Sequence, residues 1–144
     1  MKKGILLLLA AFSLFACGGN SSPKNTTTTD AGKDRIEVLS FHGKQRCVTC
    51  RAIEKLTQEV VETDYADQLK NGTVVFKVVD IRLPENEPLA DKYEVSWSAL
   101  FINGWKDGEE TANDLTEFAF GNARNNSEQF KQGIRAKIDE LLKK

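Results

Sequence analysis

From Arg35 to Phe41 the chain reads RIEVLSF, with Ile36, Val38 and Ser40 alternating against Glu37 and Leu39, the period of a β-strand. His42 to Arg46 is a polar loop. From Cys47 the period lengthens. Ile53, Leu56 and Val60 fall on one helical face, with Ala52 and Val61 beside them, which predicts a helix to about Thr63. Asp64 to Asn71 is polar and reads as a connection that stops at Asn71-Gly72. Thr73 to Ile81 is nearly all apolar or β-branched, which predicts a central strand buried on both faces. Pro88 opens a short helix through Tyr93. Ser98 to Asn103 is a third strand, Asp107-Gly108 signals a hairpin turn, and Glu109 to Ala112 returns as a short fourth strand. Asp114 with Glu117 has the spacing of a capping box and opens a short helix carrying Leu115, Phe118 and Ala119. Asn126 with Gln129 caps the last helix, whose Phe130, Ile134, Ile138 and Leu141 share a face. The order is β-α-β-α-β-β-α with one extra short helix before the C-terminal one, an α/β pattern with parallel neighbours and an antiparallel edge.

The N-terminal stretch has a different pattern. Lys2 and Lys3 precede an apolar run, Ile5 to Ala16, broken only by Ser13. Its twelve residues would span about 18 Å as a helix, short of the roughly 30 Å of a hydrocarbon core. A signal peptide over residues 1–17 is the expectation. Its end, Leu14-Phe15-Ala16-Cys17, resembles the bacterial lipobox, which implies cleavage before Cys17 and a lipid on its thiol. The alternative is an ordinary signal peptide that contains a cysteine. Residues 18–33, polar and short-sided, read as a flexible tether with a reach of about 22 Å. The folded domain is expected over 34–144.

Composition narrows the function classes. The chain has 144 residues, 40% hydrophobic and 28% charged, with a net charge of −1. One ordinary domain fits in that length. Near-balanced charge gives no sign of a nucleic-acid partner. Removing Lys2 and Lys3 with the signal leaves a mildly acidic domain of net charge −3. Three cysteines and one histidine exclude a metal site with many thiolate or imidazole ligands. With Cys17 committed to lipid, Cys47 and Cys50 remain, in a compartment where disulfides form.

Cys47-Val48-Thr49-Cys50 follows the first strand and opens the first helix. That spacing puts the sulfurs about one helical turn apart, close enough to bridge. At a helix N-terminus, free amides and the helix dipole favour a thiolate at Cys47. Lys44, Arg46 and Arg51 add positive charge, so Arg46 and Arg51 are expected to stabilise it. Cys47 is then the nucleophile and Cys50 the resolving thiol. A purely structural disulfide would stabilise little, because the loop it closes is so short.

With FHGKQRCVTCRAIE (41–54), LADKYEVSWSALFI (89–102) and FAFGNARNN (118–126), the chain resembles the thioredoxin superfamily over Arg35 to Leu142. More narrowly it is similar to the exported, thioredoxin-like ArsF family, described as a nitrophenyl compound nitroreductase subunit. The resemblance implies a thioredoxin-like βαβαββα sandwich and a redox-active Cys47–Cys50 disulfide. No sequence resembling a flavin or nicotinamide site is present, so no cofactor is expected. Thioredoxins carry a cis-proline before the third strand. Here that place reads Ser96-Trp97-Ser98-Ala99, and a trans bond is expected. Where thioredoxins bury an acid in the first strand, this chain has Ser40.

Trp97, Ser98 and Ala99 are candidates for a substrate groove, Trp97 equally for a lid over the core edge. His42 is a candidate base, a third ligand with Cys47 and Cys50 for a soft ion such as Cu(I) or As(III), or a strand-end residue bonding the loop. Trp105 reads as surface packing, Phe118 and Phe120 as core and shoulder. Lys55 extends the basic cluster, which either attracts anionic partners or is a solvated face. Three functions follow as expectations. One is a lipid-anchored redox protein of the bacterial cell envelope, facing the periplasm and exchanging electrons with a protein disulfide or a membrane thiol reductase. The second is soft-ion binding in arsenical resistance. The third is a docking subunit with a permanent disulfide.

Overall fold

The structure is a computed structural model and describes residues 33–144. The signal peptide, the lipidation site at Cys17 and all but the last residue of the tether lie outside the described residues. The element order is β1 (Arg35–His42), α1 (Val48–Asp64), α2 (Ala66–Asn71), β2 (Val74–Asp80), a 3-10 turn (Pro84–Asn86), α3 (Glu87–Lys92), β3 (Ala99–Lys106), β4 (Glu109–Thr111), α4 (Thr116–Asn122) and α5 (Ser127–Leu142). The sheet runs β2-β1-β3-β4. β1 and β2 are parallel, from Ile36 opposite Val74 to His42 opposite Asp80. β1 and β3 are antiparallel, as are β3 and β4. This topology, with a helical crossover between parallel strands and a closing hairpin, is that of a thioredoxin-like fold.

Because β1 is central, its alternation feeds two cores. Ile36 and Val38 point toward α1, α4 and α5 and join Ile53, Val60, Val61, Leu100, Ile102, Phe130, Ile134 and Ile138. Leu39 and Phe41 point the other way and join Val79, Ala99 and Phe101, with Leu89 and Tyr93 packed against them. Phe118 stacks on Phe130, with ring centroids 6.2 Å apart, and helps join α4 to α5. In the β3–β4 hairpin, Asp107 and Gly108 both take positive φ, 51° and 82°, which matches the twist of the strands they connect.

Three local expectations are corrected. The apolar run Thr73 to Ile81 is not a central strand. β2 lies at the sheet edge, and although Val74 and Val79 are buried, Val78 is 44% exposed. The run is interrupted by Lys77 and Asp80, and a mostly apolar run carries no information about neighbours on both edges. The polar stretch after α1 is not all loop, since 66–71 forms α2. Tyr65, buried between the two helices, donates its hydroxyl to Asp139 at 2.8 Å. Its carbonyl accepts from Leu69 N–H, and Gly72 at φ 80° ends the turn. The capping signals are used differently as well. Asp114 accepts from Thr116 N–H, and Thr116 Oγ1 in turn accepts from Leu100 N–H, which pins α4 to β3 with Leu115 in the capping position. Asn126 caps α5 by position, with no side-chain hydrogen bond.

Candidate redox site

The loop between β1 and α1 delivers Cys47 to the N-cap of α1, with extended φ −64° and ψ 166°. The first helical residue is therefore Val48. Cys47 Sγ accepts from Cys50 N–H at 3.0 Å, and the Cys47 carbonyl accepts from Arg51 N–H at 3.1 Å. The sulfur thus takes the place that a serine or aspartate oxygen holds in ordinary caps. Cys47 and Cys50 are joined by a disulfide, with Cα atoms 5.0 Å apart. Cys47 is exposed and Cys50 half-buried. When the bond is reduced, negative charge on Cys47 faces an amide donor and the positive end of a seventeen-residue helix.

Of the neighbouring cations, the two arginines are engaged. Arg46 Nη2 is paired with Glu54 Oε2 on α1. Arg51 Nη1 donates to the Arg46 carbonyl at 2.6 Å and braces the loop. Arg46 Nε is buried without a hydrogen-bond partner. Lys44 and Lys55 are exposed. Sequence reading did not single out Glu54. Its partner lies in the loop, outside the helical periodicity that links residues along α1.

A cleft of about 460 Å³ opens beside the disulfide, lined by residues 43–47, Cys50 and residues 96–98. It holds two cationic side chains, Lys44 and Arg46, and no carboxylate. Trp97 and Ser98 line it. Ala99 does not, because it begins β3 facing inward and is buried against Phe41 and Phe101. Trp97 is 61% exposed and stacks on Phe120 at 5.3 Å between centroids. It stands as a shelf at the cleft wall rather than a lid. Val48, next to Cys47 in the chain, is 58% exposed. No cis peptide bond occurs among the described residues, so residues 96–98 approach the dithiol in trans.

His42 is not brought to the cleft. It ends β1 half-buried, its Nδ1 is 3.2 Å from the Gly43 carbonyl, and its own carbonyl accepts from Ile81 N–H. Opposite it in register, Asp80 is held by Arg82, whose hydrogen bonds keep the carboxyl well below its usual range, with a weaker pull from His42. Among the described residues no group of three His, Cys, Asp or Glu side chains is placed to hold a metal ion. The set Cys47, Cys50 and His42 is therefore not assembled as a ligand site. Ser40 is buried in β1. Trp105 lies at the other end of β1, where its indole donates to Glu37 at 3.2 Å and stacks under the Arg35 guanidinium.

No protein-family model matches the chain, and no curated protein matches it. Solved structures do. A thioredoxin from Thermus thermophilus is 18% identical, with 71% of this chain and 72% of that one covered and a TM-score of 0.48. A malarial protein is 20% identical, covering 60% and 92%, with a TM-score of 0.39. A thioredoxin-like protein from Porphyromonas gingivalis is 17% identical, covering 74% and 77%, with a TM-score of 0.37. These likenesses concern the fold alone. The thioredoxin-like architecture stands on the strand order and connections described above.

Proposed function

We propose that this chain is a thiol–disulfide exchange protein of the bacterial cell envelope, exported and held at the membrane by lipid on Cys17. The observation that carries the exchange chemistry is the Cys47–Cys50 disulfide at the N-cap of α1, with the outer sulfur exposed beside an open cleft. Cys47, as thiolate, attacks a partner disulfide. The mixed disulfide is then resolved by Cys50, which restores the internal bond and releases the partner as a dithiol. In the opposite direction a membrane thiol reductase would attack Cys47 and reload the pair. The cleft's two cations and the Trp97 shelf suit a protein segment that carries its cysteine beside apolar and anionic groups. The motif stretches quoted above support the narrower ArsF-family reading and a place beside an arsenical-resistance system.

The exchange reading is tested by turnover on a protein disulfide such as insulin, with a dithiol as reductant. Wild type is expected to turn over, and Cys47→Ser to fall to the uncatalysed rate. Full turnover in Cys47→Ser would reject the reading. The anchor is tested separately, by fatty-acid labelling and membrane fractionation in a bacterial host. Cys17→Ser should lose the label and leave the membrane fraction.

A further inference from the structure

Arg46 is bonded directly to Cys47 in sequence and lines the same cleft. Of the charged side chains it is the one nearest in sequence to the reactive sulfur. In the disulfide state it is committed elsewhere, paired with Glu54, and the two side chains are only 32% and 21% exposed. Its Nε is left buried with no acceptor. An ion pair with an unfilled donor thus stands one residue from the atom that becomes an anion on reduction.

We infer that Glu54 is a positioning residue that sets the reduction potential of the Cys47–Cys50 pair, by competing with the Cys47 thiolate for Arg46. This rests on the exchange reading given above. Reduction by a partner dithiol breaks the Cys47–Cys50 bond and oxidises the partner to its disulfide. Of the partner's two protons, one stays on Cys50 and the other goes to water, leaving Cys47 as thiolate. Before reduction the sulfurs are neutral and Arg46 serves Glu54 alone. Afterwards two anions share one guanidinium, so part of the attraction that would favour the reduced state is already spent on the carboxylate. A more stabilised thiolate would make the pair a stronger oxidant. Glu54 holds it back.

The other charged groups around the site do not reproduce this arrangement. Arg51 on α1 is tied to the Arg46 carbonyl, Lys44 in the loop and Lys55 on α1 are exposed, and residues 96–98 bring no charge. His42 at the end of β1 bonds Gly43, and Asp80 on β2 is neutralised by Arg82.

The test equilibrates wild type, Glu54→Gln, Arg46→Gln and the double variant in glutathione redox buffers, and measures the rate of Cys47 alkylation against pH. Glu54→Gln should favour the reduced form about tenfold, a rise of about 30 mV for a two-electron couple. It should also move the alkylation midpoint about one pH unit lower. Arg46→Gln should move both the other way. The double variant should match Arg46→Gln, and Glu54→Asp should restore the wild-type values in part. An unchanged potential in Glu54→Gln overturns the inference. So does an equal shift in the Arg46→Gln background, which would mean that Glu54 acts on the sulfur without Arg46. Far-UV circular dichroism checks each fold, and Arg46→Met, which removes the charge and keeps an unbranched stem, replaces Arg46→Gln if that variant unfolds. If wild type fails to equilibrate with glutathione, the exchange reading falls and this inference with it. If wild type equilibrates and the cycle fails, this inference alone falls.

Discussion

A sulfur can cap a helix as an oxygen does, and at Cys47 it accepts the Cys50 amide in the place of a capping side chain. The two cysteines should therefore behave unequally. Cys50→Ser should leave Cys47 free to attack but unable to be released, so mixed disulfide with a partner should accumulate and be visible by non-reducing electrophoresis. Trp97→Ala tests the cleft wall. Trp97 is mostly exposed but stacks on Phe120, which packs against the larger core, so the change should cost about 0.5–1.5 kcal/mol of stability. Turnover on a protein disulfide should fall several-fold while reaction with glutathione disulfide changes little, because only the larger substrate reaches the indole. At this scale the dithiol was legible, since the CxxC coincides with a change of hydrophobic period. Glu54 was not, because its partner is in a loop eight residues back. Ala99 was misassigned because the inward or outward direction at the start of a strand depends on a register that the sequence leaves open.

At the scale of elements, helix packing sets the strictest demands. A Cβ added at Gly133 would lie 2.2 Å from Phe118 Cζ, so Gly133→Ala must displace the Phe118 ring from its stack on Phe130. A loss of about 1–3 kcal/mol in denaturant unfolding is expected. The end of α5 gives a pH prediction. Hydrogen bonds from Lys137 and then Lys144 lower the Glu140 carboxyl to about 2. Its folded value lies below its unfolded one, so its stabilisation is complete above about pH 5 and is lost as pH falls toward 2. Glu140→Gln should lower the thermal midpoint slightly at neutral pH, and the difference should close near pH 2 and in molar salt. Strands and long helices were readable from their periods. The edge position of β2, the brief α2 and the re-used caps were not. Each is decided by long-range contacts, such as Tyr65 with Asp139 or Thr116 with Leu100, that no local window contains.

For the whole molecule, the sheet separates two kinds of polar chemistry. At the start of β1, buried Glu37 is satisfied by Arg35, by Lys77 and by the Trp105 indole, a closed network that fixes the hairpin against the first strand. Beyond the other end of β1 lie the disulfide and its open cleft, carried on a helix whose inner face is packed into the larger core. Neither cysteine belongs to a core cluster, and the bond closes a loop too short to restrain the unfolded chain much. Reduction should therefore leave the far-UV circular dichroism spectrum unchanged and the unfolding cooperative. The fold as a whole was foreseeable from the order of its periods, because β-α-β units and a hairpin admit few arrangements. The measurement that bears most directly on the account is an equilibrium titration of the Cys47–Cys50 pair against glutathione, with selective alkylation of the reduced form. A reversible two-electron transition with Cys47 alkylated well before Cys50 is the predicted result. A pair that stays oxidised at every buffer ratio, or two reduced sulfurs equally inert to alkylation, would contradict it.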